Sequence, residues 1–172
     1  MKFYPKRFDQ VAADIVSLLT EDGDIEVEAL NIEEVVQDIV AIMSEYLNTE
    51  SRIREEVSEI MAQRGIPSSE FGRVKRILME EKGLKTGDEG IEWLIDQILQ
   101  SFMVGTHVEE VYAEDRLMKR KIFSIFKKHF DIEDKLDKEV RSKLKNIKEG
   151  TPTWDIEYNK VLRQIQKRWG LI

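Results

Sequence analysis

Cysteine is absent, and only three prolines, nine glycines and two histidines occur among the 172 residues. Without thiols there can be no disulfides and no thiolate metal sites. That absence, with a surface rich in Lys and Glu, would suit a thermophile. So few prolines and glycines leave long stretches with nothing to interrupt a helix. No apolar run approaches the roughly 20 residues that cross a bilayer. Asp9, Gln10 and Asp14 break the first apolar stretch, so it does not read as a signal peptide. A soluble cytoplasmic protein is expected.

What is present is charge and helical periodicity. Charged residues make up 35% of the chain, against a usual share of roughly 25%, which favours thin helical layers over a bulky core. Phe8, Val11, Ala12, Ile15, Val16 and Leu19 fall at i, i+3, i+4, i+7 spacing, as do Ile32, Val35, Val36, Ile39, Val40, Met43, Tyr46 and Leu47. A third helix is expected from about Thr49 to Arg64 on Ile53, Val57, Ile60 and Met61, with Asn48 capping its start. A fourth carries Phe71, Val74, Ile77 and Leu78.

The pattern then returns about 83 positions later. The first stripe reappears as Ile91, Leu94, Ile95, Ile98, Leu99 and Phe102, and the second as Ile122, Phe123, Ile125, Phe126 and Phe130. Ile53 and Val57 become Leu136 and Val140, and Asn48 becomes Asp131. The helix stops repeat as well, Gly65-Ile66-Pro67 matching Gly150-Thr151-Pro152 and Gly83-Leu84 matching Gly170-Leu171. The expected fold is all-α: about eight helices in two pseudo-equivalent four-helix units forming a helical bundle. The units are residues 1–82 and 91–172, joined by a linker at 83–90. Sparse apolar stripes on the third and seventh helices allow these to project as arms, giving an elongated outline.

The two units differ electrically. Residues 1–90 hold 11 basic and 20 acidic side chains, whereas residues 91–172 hold 16 and 14. Glu33, Asp38 and Glu45 correspond to Arg116, Lys121 and Lys128. Packing about a pseudo-twofold axis would let the acidic face of one copy meet the basic face of the other.

Several segments resemble a known family. Asp137-Lys138-Glu139-Val140-Arg141, the later Trp154-Asp155-Ile156-Glu157-Tyr158, and the turn Glu21-Asp22-Gly23-Asp24-Ile25-Glu26 are similar to the bacterial family catalogued as domain of unknown function 507. The resemblance is read once per unit and implies a helical bacterial protein, with no function inherited.

No catalytic constellation is legible. Asp22, Asp24, Glu26 and Glu33 fit positions of a calcium loop, but Val27 stands where the bending glycine belongs, so a plain connector is the stronger reading. His107 and His129 lack metal-ligand spacing, and His129 corresponds to Tyr46, a packing position. No enzyme, metal, cofactor or small-molecule ligand is expected. Candidate interaction residues are Arg116, Lys119, Arg120, Lys121, Lys127 and Lys128 on a basic amphipathic helix, with Trp154 and Tyr158 on the last helix. The favoured function is a non-catalytic protein-interaction or scaffold module that binds a protein partner or self-associates. The alternative is nucleic-acid binding by residues 116–148, where 12 basic face 5 acidic residues.

Overall fold

The computed structural model describes residues 3–149 and 151–172, the side chains of 133 and 134 aside. Helices dominate: α1 (Phe8–Glu21), α2 (Ile32–Arg64), α3 (Phe71–Glu81), α4 (Gly87–Val104), α5 (Asp115–Phe130), α6 (Ile132–Lys143) and α7 (Pro152–Arg168). Two two-residue strands, β1 (Ile25–Glu26) and β2 (Glu110–Val111), lie in the α1–α2 and α4–α5 connectors. They pair antiparallel, Ile25 opposite Val111 and Glu26 opposite Glu110.

The fold is mostly helical, but the expected count of eight falls to seven among the described residues. The second and third expected helices are one 33-residue helix, α2, about 50 Å long. Asn48 therefore lies inside a helix and caps nothing. The reason is in the stripe: Tyr46, Ile53, Val57 and Met61 stay on one face through the Asn48 region, and no proline or glycine intervenes. In the second half the chain does step at Asp131, between α5 and α6, yet the Asp131 side chain makes no capping hydrogen bond.

Four helices form the central bundle. Helix α1 packs on α2 and α4 on α5, while α1 also packs on α5 and α2 on α4. Each apolar stripe is thus closed by helices of both halves, and one continuous core runs from Phe3 to Phe126 through Ile15, Ile39, Leu94 and Ile98. Helix α3 covers the C-terminal part of α2, and α7 covers α6. A smaller second core holds Tyr4, Ile132, Leu136, Val140, Leu144, Ile165 and Leu171.

The helix stops behave as their sequence predicts. Gly83 and Gly170 sit at φ 69° and 67°, a conformation that costs a glycine little. The Leu84 amide then donates back to the Met79 carbonyl at 2.8 Å and the Leu171 amide to that of Gln166 at 2.9 Å. Both leucines are buried. Gly65 ends α2 in the same left-handed conformation, while Gly150 lies outside the described residues.

Gly90, in the first turn of α4, is constrained by its neighbours. A Cβ there would lie 2.6 Å from the Tyr46 hydroxyl and 2.9 Å from the Lys85 carbonyl oxygen, while one at Gly72 in α3 would meet nothing within 4 Å. Gly90→Ala is expected to cost about 1–3 kcal/mol by overpacking. Gly72→Ala is expected to stabilise by about 0.4–1 kcal/mol through the unfolded chain. Urea denaturation of the two variants checks both signs.

Candidate functional site

The end of the bundle that carries the ribbon concentrates charge and exposed apolar surface. Helices α1 and α4 end there, and α2 and α5 begin there. Residues 21–34 contain seven carboxylates and residues 103–115 four, with no lysine or arginine in either segment. The last turns of α1 and α4 also lack basic residues, so their carbonyl ends add to the negative potential.

One lysine reaches in from α5. Lys121 Nζ donates to Asp22 Oδ2 at 2.6 Å and to Asp24 Oδ2 at 2.5 Å, the Asp24 side chain being 7% exposed. Hydrogen bonds to Asp22 and Asp24 raise the Lys121 ammonium above its ordinary range. On the other side of the ribbon His107 Nδ1 lies 3.2 Å from Asp38 Oδ2. Lys121 and Asp38 stand 83 positions apart, as do His107 and Asp24. Tyr112, just after β2, donates its hydroxyl hydrogen to Glu26 Oε2 at 2.5 Å.

These contacts differ from the pairing expected of the two halves. Among the described residues no ion pair joins Glu33, Asp38 or Glu45 of α2 to Arg116, Lys121 or Lys128 of α5, since each of these helices packs on α1 and α4. Each face instead sends one residue to the connector of the opposite half.

The candidate residues on α5 are divided. Lys119 pairs with Asp96 and Lys127 with Asp88, at 2.6 and 2.7 Å, and Lys121 is held as above. Arg116, Arg120 and Lys128 are exposed. Half of these six cations are therefore already paired within the chain. Trp154 and Tyr158 lie apart from them, stacked at 4.8 Å on α7 and half-buried against α6. The Tyr158 hydroxyl donates to Asp137 Oδ1 at 2.7 Å, and Arg141 stands over the Trp154 ring. Burial first, then the Asp137 hydrogen bond, pushes the Tyr158 phenol up to about 12.

At the opposite end of the bundle, buried His129 joins both halves. Its Nε2 is 2.8 Å from Asp14 Oδ2 and its Nδ1 3.0 Å from Arg7 Nη2. A proton on Nε2 satisfies both contacts, donating to the carboxylate while Nδ1 accepts from the guanidinium. Tyr46, the counterpart of His129, donates to the Lys85 carbonyl at 2.6 Å. Burial, then the nearby Glu50 charge, pushes this phenol up to about 12. Among the described residues no group of three His, Asp or Glu is placed to hold a metal ion, and no helix is long and apolar enough to cross a membrane.

Sequence reasoning missed the exposed apolar residues of the ribbon end: Leu30 is 88%, Met103 71%, Val104 76% and Tyr112 65% exposed. A signal existed, since Leu30 and Met103 fall outside the apolar stripes.

Two outcomes follow from the polar contacts. Lys121→Met is expected to lower the melting temperature more than Asp38→Ala, because it strands the buried Asp24 whereas Asp38 and His107 are both solvated; scanning calorimetry ranks them. Acid sensitivity is expected from Glu50, whose burial raises its pKa but whose hydrogen bonds to Lys75 and Arg54 bring it below the ordinary value. A depressed carboxyl stabilises the fold above its unfolded pKa, and that contribution is lost as pH falls through the folded value. Glu50→Gln should accordingly flatten the stability–pH curve below about pH 4.

No curated protein matches the chain. The match to a family model runs through both halves as one, over residues 1–171, and the chain belongs to that family, described as protein of unknown function (DUF507).

Proposed function

We propose that the chain is a non-catalytic protein-interaction module, built from two diverged tandem copies of one helical unit packed about a pseudo-twofold axis. Several contacts support the duplication. The packing of α1 on α5 mirrors that of α4 on α2, as a twofold axis requires. The ribbon pairs the two equivalent connectors antiparallel. Lys121 with Asp24 and Asp38 with His107 are related by the same offset.

The observation that carries the interaction reading is the apolar surface at one end of the bundle. Leu30, Met103, Val104 and Tyr112 are each more than 60% exposed. Exposed apolar residues gathered together within a polar rim mark a place where another molecule docks. A scaffold role fits a chain whose polar clusters are consumed in tying its own halves together.

The test is isolation of the intact protein from native cells together with sedimentation of the pure chain. A stoichiometric protein partner, or concentration-dependent self-association, is the expected result. A strictly monomeric chain that co-purifies with no protein would overturn the reading.

A further inference from the structure

The composition of the ribbon end narrows what can dock on it. Its apolar residues are not isolated. Met103 stands at the edge of a hollow of about 210 Å³ between α4 and α5, floored by Leu99, Val111 and Met118. Val104, its neighbour in sequence, edges a second groove of about 370 Å³ between α2 and α4, floored by Ile42 and Trp93. The last turn of α4 therefore stands as a ridge between two recesses, each lined by polar as well as apolar side chains. Leu30 and Ile32 precede and open α2 at the same end of the bundle, where the ribbon ties their connector to that of α4 and α5.

Carboxylates are concentrated at the same end of the bundle. Glu33 and Glu34 open α2, Glu109 and Glu110 lead into and begin β2, and Glu114 and Asp115 open α5; all six are exposed. Among the described residues none of those six is held in an ion pair, although Glu33 accepts from the Gln37 amide and Asp115 lies in the field of Lys119. A neutral apolar partner would have to desolvate them without compensation, at a cost that grows with burial. A polyanion would be repelled. A partner with cations around an apolar stripe would satisfy both surfaces at once, and its approach would be accelerated by the negative field.

We propose that the ribbon end docks a cationic amphipathic protein segment, its apolar side chains against Leu30, Met103 and Val104 and its cations against the carboxylates of the same end. This rests on the interaction-module reading and names the partner's chemistry. The mode is the familiar one in which an amphipathic helix lays its apolar face into hydrophobic grooves. The flanking grooves on either side of α4 supply the recesses for its larger side chains.

The experiment uses the full chain and an 18-residue peptide of leucine and lysine at helical spacing, followed by fluorescence anisotropy. The expected result is saturable binding that weakens steeply between about 50 and 300 mM salt, as exposed charges are screened. The triple variant Leu30→Ser, Met103→Ser, Val104→Ser is expected to bind about tenfold more weakly or worse, a loss of about 1.4 kcal/mol. The double variant Glu33→Lys, Glu110→Lys should lose affinity comparably. Glu59→Lys, exposed on the far half of α2, should change little. Circular dichroism confirms that each variant is folded. The proposal is overturned if the triple variant binds like the unmodified chain, or if Glu59→Lys weakens binding as much as the ribbon-end changes. It is also overturned if the chain dimerises through Leu30, Met103 and Val104, which would give the patch to a second copy. A native partner retained by the triple variant would sink this surface while leaving the interaction reading standing. Ribbon-end peptide binding without any native protein partner would do the reverse.

Discussion

Everything else in the molecule depends on the crossed packing of α1 with α5 and of α2 with α4. A hairpin of two amphipathic helices can bury only the strips that face each other, and a domain of roughly 85 residues hides little more than 60% of its unfolded surface. By sharing stripes, the two hairpins turn two thin layers into one core in which Ile15, Ile39, Ile91, Leu94, Ile98, Ile122 and Phe126 are all fully enclosed. The same arrangement brings the two connectors side by side and so creates the ribbon. It also fixes which helices are diagonal.

Electrostatics is layered on this frame without driving it. The exposed ion pairs contribute little individually, of order 0–1 kcal/mol. The pairs that cross between the halves at Lys121, Asp38 and His129 act on orientation, since each holds a residue of one half to a loop or helix of the other. Because the polar groups at these crossings are matched, the uncompensated charge is left at the periphery, where the ribbon end keeps its carboxylates and its exposed apolar residues together.

Much of the core was legible from periodicity. Phe8, Val11, Ala12, Ile15, Val16 and Leu19 are buried, and so are Ile91, Leu94, Ile95, Ile98, Leu99 and Phe102, because a strict 3.6-residue stripe has one physical use in a soluble helix. The closures at Gly83 and Gly170 were legible for a similar reason, since a glycine followed by an apolar residue has few other uses at a helix end. Other features were not. Two-residue strands contain no alternation to read, and their pairing is imposed by the packing of the helices around them. The continuity of α2 through Asn48 was missed because an asparagine there reads as a cap, although the stripe runs on from Tyr46 to Met61 with no proline or glycine between. The pairing of cations on α5 was not legible either, because a lysine's partner, such as Asp96 for Lys119, is invisible until the neighbouring helix is placed.

The step at Asp131 has a consequence of its own. The first half runs without interruption from the bundle into its outer segment, so Ile53, Val57 and Met61 belong to the main core. In the second half the chain breaks, and α6 and α7 gather a separate apolar nucleus joined to the rest through Tyr4, whose hydroxyl accepts from Gln166 Nε2 at 3.3 Å while Phe3 beside it sits in the main core. Two adjacent N-terminal residues thus button together two cooperative units of unequal size. The α6–α7 hairpin, with far fewer buried side chains to hold it, draws on the smaller share of apolar stabilisation.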